Sequence, residues 1–356
     1  MSHPVIALLV VLGIVVFIHE LGHFLVARWC NVGIQVFSLG FGPKVFKRKK
    51  GITEYCISAI PLGGYVKMVG DEPGARLSEE DRSISFTHKT LLQKSLIVAA
   101  GPVFNFLLGI LIFYLFYQFS GIYLSTPEIG KVFDESPAFE AGIQPGDIIL
   151  EIDGKPIDSF DQVSSIIRQG NGAPMNILLE RGDSRVPVTV MPRIGPGKDE
   201  LGQDTQRYLI GISTSGEFFH KRLNPFQAMG HSLSNNYMII RLTIISVGRM
   251  ITGNLSLDNL SGPIMIAKEA GKQAKAGMVD FVSFIAIISI SIGLINLFPI
   301  PVLDGGHLMF FAIEAITRRP VNERVRGILT QMGMAMLLIL MVFVFYNDIS
   351  RLINGG

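Results

Sequence analysis

Four long apolar runs set what this chain can fold into. Residues 4–29, 96–120, 279–303 and 327–346 each supply roughly the 20 predominantly apolar residues that a helix needs to cross a bilayer. Hydrocarbon offers backbone groups no partner, so such runs are predicted to be helices that satisfy their own N–H and C=O groups. Composition agrees. Of 356 residues 49% are hydrophobic and 17% charged, with a mean hydropathy of +0.43, which separates the chain from soluble enzymes. A net charge of +2 gives no reason to expect nucleic acid. The first run has no basic stretch before it and is longer than a signal-peptide core, so it is predicted to be retained.

Loop charges predict orientation, because short cytoplasmic loops collect Lys and Arg. Lys44, Lys47, Arg48, Lys49, Lys50, Lys67, Arg76, Arg82, Lys89 and Lys94 lie between the first two runs; Arg318, Arg319, Arg324 and Arg326 lie between the last two. Both loops are expected in the cytoplasm, and the long segment between the second and third runs outside it. Cys30 and Cys56 then fall on the cytoplasmic side, where no disulfide is expected.

These signals divide the chain into four parts. Residues 1–120 hold the first two spans and a cytoplasmic, membrane-associated β-hairpin loop (30–95). Residues 121–195 form an extracytoplasmic β-rich domain, read from short β-type runs such as "IILEIDG" and "MNILLER" separated by turn signals, with two short helices. Residues 196–278 are a Gly/Pro-rich link, "RIGPGKDELG", followed by a membrane-surface amphipathic helix with Phe226, Met229, Leu233, Tyr237 and Ile240 at helical spacing. Arg241, Arg249 and paired asparagines argue against a fifth span there. Residues 279–356 hold the last two spans. The fold class expected is therefore a polytopic α-helical membrane protein with four transmembrane helices, a cytoplasmic hairpin region and one inserted β-rich domain.

Inside the first run stands "HELGH". An ionisable residue at the middle of a membrane helix costs about 2.5–3.5 kcal/mol on insertion scales, so such residues mark a site. His19 and His23 are four apart and share one helix face, where both rings can reach one ion. Glu20 is placed to act on water at that ion. This is the H-E-x-x-H pattern of zinc-dependent peptide hydrolases. A catalytic zinc takes a third protein ligand. "NLFPIPVLDGGH" at the end of the third run offers Asp304 or His307; Asp304 is preferred because it follows a proline-broken stretch and precedes two glycines that let the backbone bend toward the ion.

Taken together, "HELGH", "GPVFN", "NLFPIPVLDGGH" and the insert's "SPAFEAGIQPGDIILEIDGKPI" resemble the site-2 protease family of intramembrane zinc metalloproteases, nearest to its bacterial regulator of sigma-E protease branch, over essentially the whole chain. The resemblance implies that His19, His23 and Asp304 bind Zn2+, that Glu20 is the general base, and that Asn105 and Asn296 lie near bound substrate. It implies that the insert is a PDZ domain and that "GFGPKVF" and "IPLGGYVKM" belong to the family's membrane-associated hairpin region. The best-known members of that branch carry two PDZ domains, whereas the space here holds one.

The expected function is cleavage of transmembrane segments of single-span membrane proteins in a bacterial cytoplasmic membrane, with the active site toward the cytoplasm. Anti-sigma factors and signal-peptide remnants are examples of such substrates. The substrate helix must be unwound first, and adding it as a strand to a sheet edge would replace its lost hydrogen bonds. The "KVFKRKKGITEYCIS" hairpin is the candidate edge. From the residues alone Asn105 is either a partner for that strand or a helix-packing asparagine. The competing readings are a non-catalytic metal-binding membrane scaffold or chaperone, which would have no use for Glu20, and a zinc transporter.

Overall fold

The computed structural model describes residues 3–71, 78–199 and 201–353; Arg76 of the basic loop and Glu200 of the expected link lie outside them. The chain divides into two compact units, Met1–Leu115 with Met229–Gly356, and Phe116–Ala228.

The first unit opens with α1 (Pro4–Trp29), whose leading proline sits where a helix has no use for its missing N–H. Ala7, Val11, Val15, His19, Gly22, His23 and Ala27 are its buried residues, each three or four from another of the set, so one stripe faces the protein. Two long strands follow, β1 (Ile34–Lys50) and β2 (Thr53–Met68). They do the work of four. Val36 to Leu39 are flanked by Lys67 to Gly64 on one side and by Glu54 to Ile57 on the other, while Lys47 to Lys50 pair outward with Cys56 to Thr53. The segment around Gly64–Lys67 is thus one edge of a small sheet and Lys47–Lys50 the other. Phe37 fixes the sheet against α1, its ring edge-on to Phe17 and Phe24 at 6.1 and 5.1 Å. After the short α2 (Glu79–Ser83), α3 (Leu91–Ser120) starts five residues ahead of the apolar run. The cause is a reciprocal cap: Thr90 Oγ1 accepts from the Gln93 N–H at 3.3 Å and Gln93 Oε1 from the Thr90 N–H at 3.1 Å.

The second unit contains β3 (Ile122–Ser125), β4 (Ile129–Val132), α4 (Pro137–Glu140), β5 (Ile148–Ile152), β6 (Lys155–Pro156), α5 (Phe160–Gln169), β7 (Met175–Arg181), β8 (Ser184–Val190), β9 (Arg193–Lys198), β10 (Asp204–Leu209), β11 (Ile212–Thr214) and β12 (Phe218–Lys221). A four-stranded sheet in the order β6-β5-β7-β8 shares its core with α5: Ile149, Ile152, Val163, Ile177 and Leu179 are fully or almost fully buried, each worth about 1.5–3 kcal/mol of transfer free energy. Two expectations are corrected here. The domain does not stop at residue 195, since Ile210 belongs to the same core, β11 pairs with β4, and β12 pairs with β3. Nor is "RIGPGKDELG" a link: Arg193 to Lys198 pair with Leu209 to Asp204 as a hairpin. Glycine and proline are read as linker signals, yet an outlying two-stranded ribbon tolerates both because half of its backbone groups need no partner strand.

The first unit resumes with α6 (Pro225–Ile251), which has its apolar face outward. Ala228, Ser232 and Asn236 are buried, Ser232 Oγ donating to the Ile110 carbonyl at 2.7 Å, whereas Phe226 is 89% and Tyr237 67% exposed. Its buried positions are thus small or polar, while large apolar side chains stand exposed. α7 (Pro263–Ala276), not anticipated from the sequence, lays Ala270 against Ala7, Val11 and Val15 of α1 and Phe281 and Ile285 of α8 (Met278–Asn296). α8 ends seven residues before the third apolar run does, because Pro299 and Pro301 cannot continue it; α9 (Asp304–Thr317) and α10 (Glu323–Ile353) complete the chain. Among the described residues α1, α3, α8 and α10 are long and apolar enough to cross a membrane.

Candidate metal centre

Two elements bring polar groups to one point in the first unit. α1 supplies His19, Glu20 and His23 from one and a half turns. The second group comes from the first residue of α9, Asp304. Its approach depends on Gly305 and Gly306, which press against the backbone of residues 297–301 so closely that Gly306 leaves a Cβ only 2.5 Å from Pro301 Cα. A larger residue would push Asp304 away from α1.

His19 Nε2 lies 3.2 Å from Asp304 Oδ2, His23 Nε2 lies 3.6 Å from it, and the two Nε2 atoms are 3.2 Å apart. An ion held tetrahedrally at 2.0–2.1 Å separates its ligands by about 3.3–3.4 Å, so the triangle has the size of a zinc site. Asp304 Oδ2 is buried and has no hydrogen-bond donor, a cost that a cation at the centre would remove. Ring orientation fits as well. His23 Nδ1 is 2.8 Å from the Ile97 carbonyl, which fixes its proton there and leaves Nε2 with a free lone pair. His19 Nδ1 faces the Asn105 amide at 3.3 Å. Turned so that Oδ1 accepts from Nδ1–H, that amide satisfies its otherwise orphaned oxygen and frees His19 Nε2 in the same way.

The triangle opens onto a cavity of about 820 Å³ whose walls include Glu20, Gly64, Tyr65, Asn296, His307 and Arg326. Glu20 is half-buried and packs beside Gly64, where a Cβ would stand 3.1 Å from its Cγ. Asn296 lines the cavity at the end of α8. Asn105 does not: it is fully buried, touching His19 through its side chain and accepting from Ser289 Oγ through its carbonyl at 2.9 Å. The structure therefore sets Asn105 against His19 rather than in the cavity wall. His307 stays outside the ligand triangle and accepts from Arg326 Nη2 at 3.1 Å. The sheet edge at the cavity is the Gly63–Val66 segment of β2, rather than the Lys44–Ser58 stretch chosen from the sequence, because the chain folds back and places those residues on the far side. The residues missed in the sequence are Ile97, whose role rests on its backbone carbonyl and leaves no residue-type signal, and Arg326.

The model for peptidase family M50 matches residues 7–340. The chain belongs to that family. Over 98% of its length it is 38% identical to a protein of Agrobacterium fabrum, covering 96% of that protein, and over 99% it is 37% identical to one of Rhizobium meliloti, covering 98%; both are named "putative zinc metalloprotease". As an M50 peptidase it is a membrane-embedded zinc metalloprotease. Part of the chain, 24%, is also similar to 84% of the PDZ domain of an SdrC-like protein from Listeria monocytogenes, at 25% identity and a TM-score of 0.20.

Proposed function

We propose that this M50 protease cuts peptide bonds within the transmembrane segments of single-span membrane proteins, with His19, His23 and Asp304 holding Zn2+ and Glu20 as general base. The observation that carries this reading is the convergence of the three ligand atoms, each able to face an ion, beside a carboxylate on a membrane-spanning helix. When bound, zinc supplies Lewis acidity and lowers the pKa of water toward 7. Glu20 takes the proton from the attacking water as the carbonyl is attacked and returns it to the amide nitrogen as that nitrogen leaves.

A transmembrane helix hides its carbonyls in its own hydrogen bonds, and freeing them in lipid costs several kcal/mol each unless partners replace them. The Gly63–Val66 edge beside Glu20 offers a strand for the unwound substrate, and Asn296 a side-chain amide at the same cavity. The basic loops support a site toward the cytoplasm of a bacterial inner membrane and a β-rich unit, of PDZ type, on its outer side, where it would exclude proteins with large outer domains. The test is direct. The purified chain and its Glu20→Gln variant are assayed for bound zinc and incubated with tagged single-span proteins. Cleavage by the parent alone, with zinc in both, is the expected result; zinc in both with no cleavage of any substrate would favour the metal-binding scaffold.

A further inference from the structure

The edge of the β1–β2 sheet opposite the cavity has a composition that the protease reading leaves unused. From Lys44 to Ile52 the sequence is KVFKRKKGI, five cations facing one nearby carboxylate, Glu54, which is taken by Lys44. Every residue in this stretch is exposed, and its apolar members are exposed too: Val45 by 74%, Phe46 by 59% and Ile52 by 54%. Water alone does not favour that mixture. A surface that takes up both cations and apolar side chains is a charged lipid interface.

The position of the turn argues for the same partner. Lys50 pairs with Thr53, whose Oγ1 donates to the Ile34 carbonyl at 2.8 Å, and Ile52 lies 3.2 Å from where a Gly33 Cβ would be. The basic turn therefore stands beside the end of α1, where Trp29, 78% exposed, and Arg28 mark the membrane–water boundary as interfacial tryptophans and snorkelling arginines do. We propose that Lys47, Arg48, Lys49 and Lys50 dock on the headgroups of anionic phospholipids, with Phe46 dipping into the acyl region. Because the far edge of this small sheet is the one beside Glu20, the docked turn sets the depth at which the Gly63–Val66 edge meets substrate; that consequence rests on the protease reading, whereas the lipid contact does not.

The test replaces Trp29 by Phe and Phe46 by Trp in the full chain, reconstituted in vesicles of one fixed mixture of phosphatidylglycerol and phosphatidylcholine. Only the bromine quencher is moved, from one lipid to the other. Quenching is expected to be about twofold stronger when phosphatidylglycerol carries it, to fall to parity at high salt, and to fall likewise when residues 47–50 are all Gln. Equal quenching by both lipids, or none, would overturn the proposal, as would salt-sensitive binding of polyglutamate without quenching. In nanodiscs, cleavage by the parent should rise roughly fivefold between zwitterionic and anionic lipid, and in the Gln variant, at equal zinc content, less than twofold. Lipid-selective quenching with lipid-indifferent cleavage would overturn the link to the site. No cleavage in any lipid would count against the protease reading and leave the quenching result standing.

Discussion

His19 and Asp304 come from opposite ends of the chain, yet His19 Nε2 stands 3.2 Å from Asp304 Oδ2. A buried carboxylate oxygen without a donor, facing two imidazoles, is unfavourable until a cation fills the space between them. Replacing Asp304 by Ala should lower zinc affinity at least ~tenfold, and His23→Ala should do the same, while Glu20→Gln should retain zinc and lose about 10²–10⁴-fold in rate. Metal analysis after dialysis, paired with a cleavage assay, separates the two behaviours; zinc lost from Glu20→Gln would make Glu20 a ligand instead.

Gly101 of α3 permits the metal centre to form. A Cβ there would collide with His23 Nε2 and come within 2.8 Å of His19 Cε1. Gly101→Ala should therefore displace both rings, costing about 1–3 kcal/mol in packing and most of the bound zinc, although it raises helix propensity. Thermal unfolding together with zinc content is the check. A stabilised, fully loaded Gly101→Ala protein would show that α1 and α3 stand further apart.

Asn105 should act through His19. Asn105→Leu removes the partner of Nδ1 and should weaken zinc binding by about 10–100-fold. Asn105→Asp, able to accept from Nδ1–H, should recover most of that loss. Competition with a chelator reads the affinities without reference to substrate; a variant with normal affinity but a raised KM would return Asn105 to the substrate.

Asp348 of α10 accepts from the backbone N–H groups of Gly262, Ile264 and Met265 at 2.9, 2.9 and 3.1 Å, capping α7 from a different helix. It is fully buried, and α7 packs on α1. Asp348→Ala should cost about 1–3 kcal/mol, with the loss of amide-exchange protection centred on residues 262–266. Uniform loss across the protein would point to α10 rather than the cap.

In the β-rich unit, burial pushes the Asp147 carboxyl up, but the Arg181 guanidinium, at 2.7 Å through both Nε and Nη2, and the Gln144 N–H at 2.8 Å hold it below the usual carboxylate range. A lowered folded pKa contributes stability that is present above the ordinary aspartate value and disappears as pH falls through the folded one. Amide exchange in β5 and β7 of the whole protein should therefore quicken only in acid, and Arg181→Ala should quicken it at neutral pH and flatten the acid response. An acid profile unchanged by Arg181→Ala would mean that other carboxylates govern it.

What could be read in the sequence was what local physics decides. Span length follows from hydrocarbon thickness, and the shared face of His19 and His23 from helical pitch, so four spans and the His pair with its carboxylate were visible residue by residue. Pro299 and Pro301 announced a break but not its place, because a proline cannot say where the helix before it stops. Other features depended on which surfaces meet. The Gly63–Val66 edge lies at the cavity only because β1 and β2 fold back on each other. Asn105 turns to a histidine rather than to substrate because α1 and α3 close to the distance that Gly101 allows. β9 and β10 pair across a stretch whose glycines and proline read locally as a link. α6 turns Ser232 and Asn236 inward because the Ile110 carbonyl awaits a donor and the outward side can face lipid. A backbone carbonyl, a neighbouring helix and a medium that is not water leave no mark on the residue that will meet them, and only the assembled fold supplies all three.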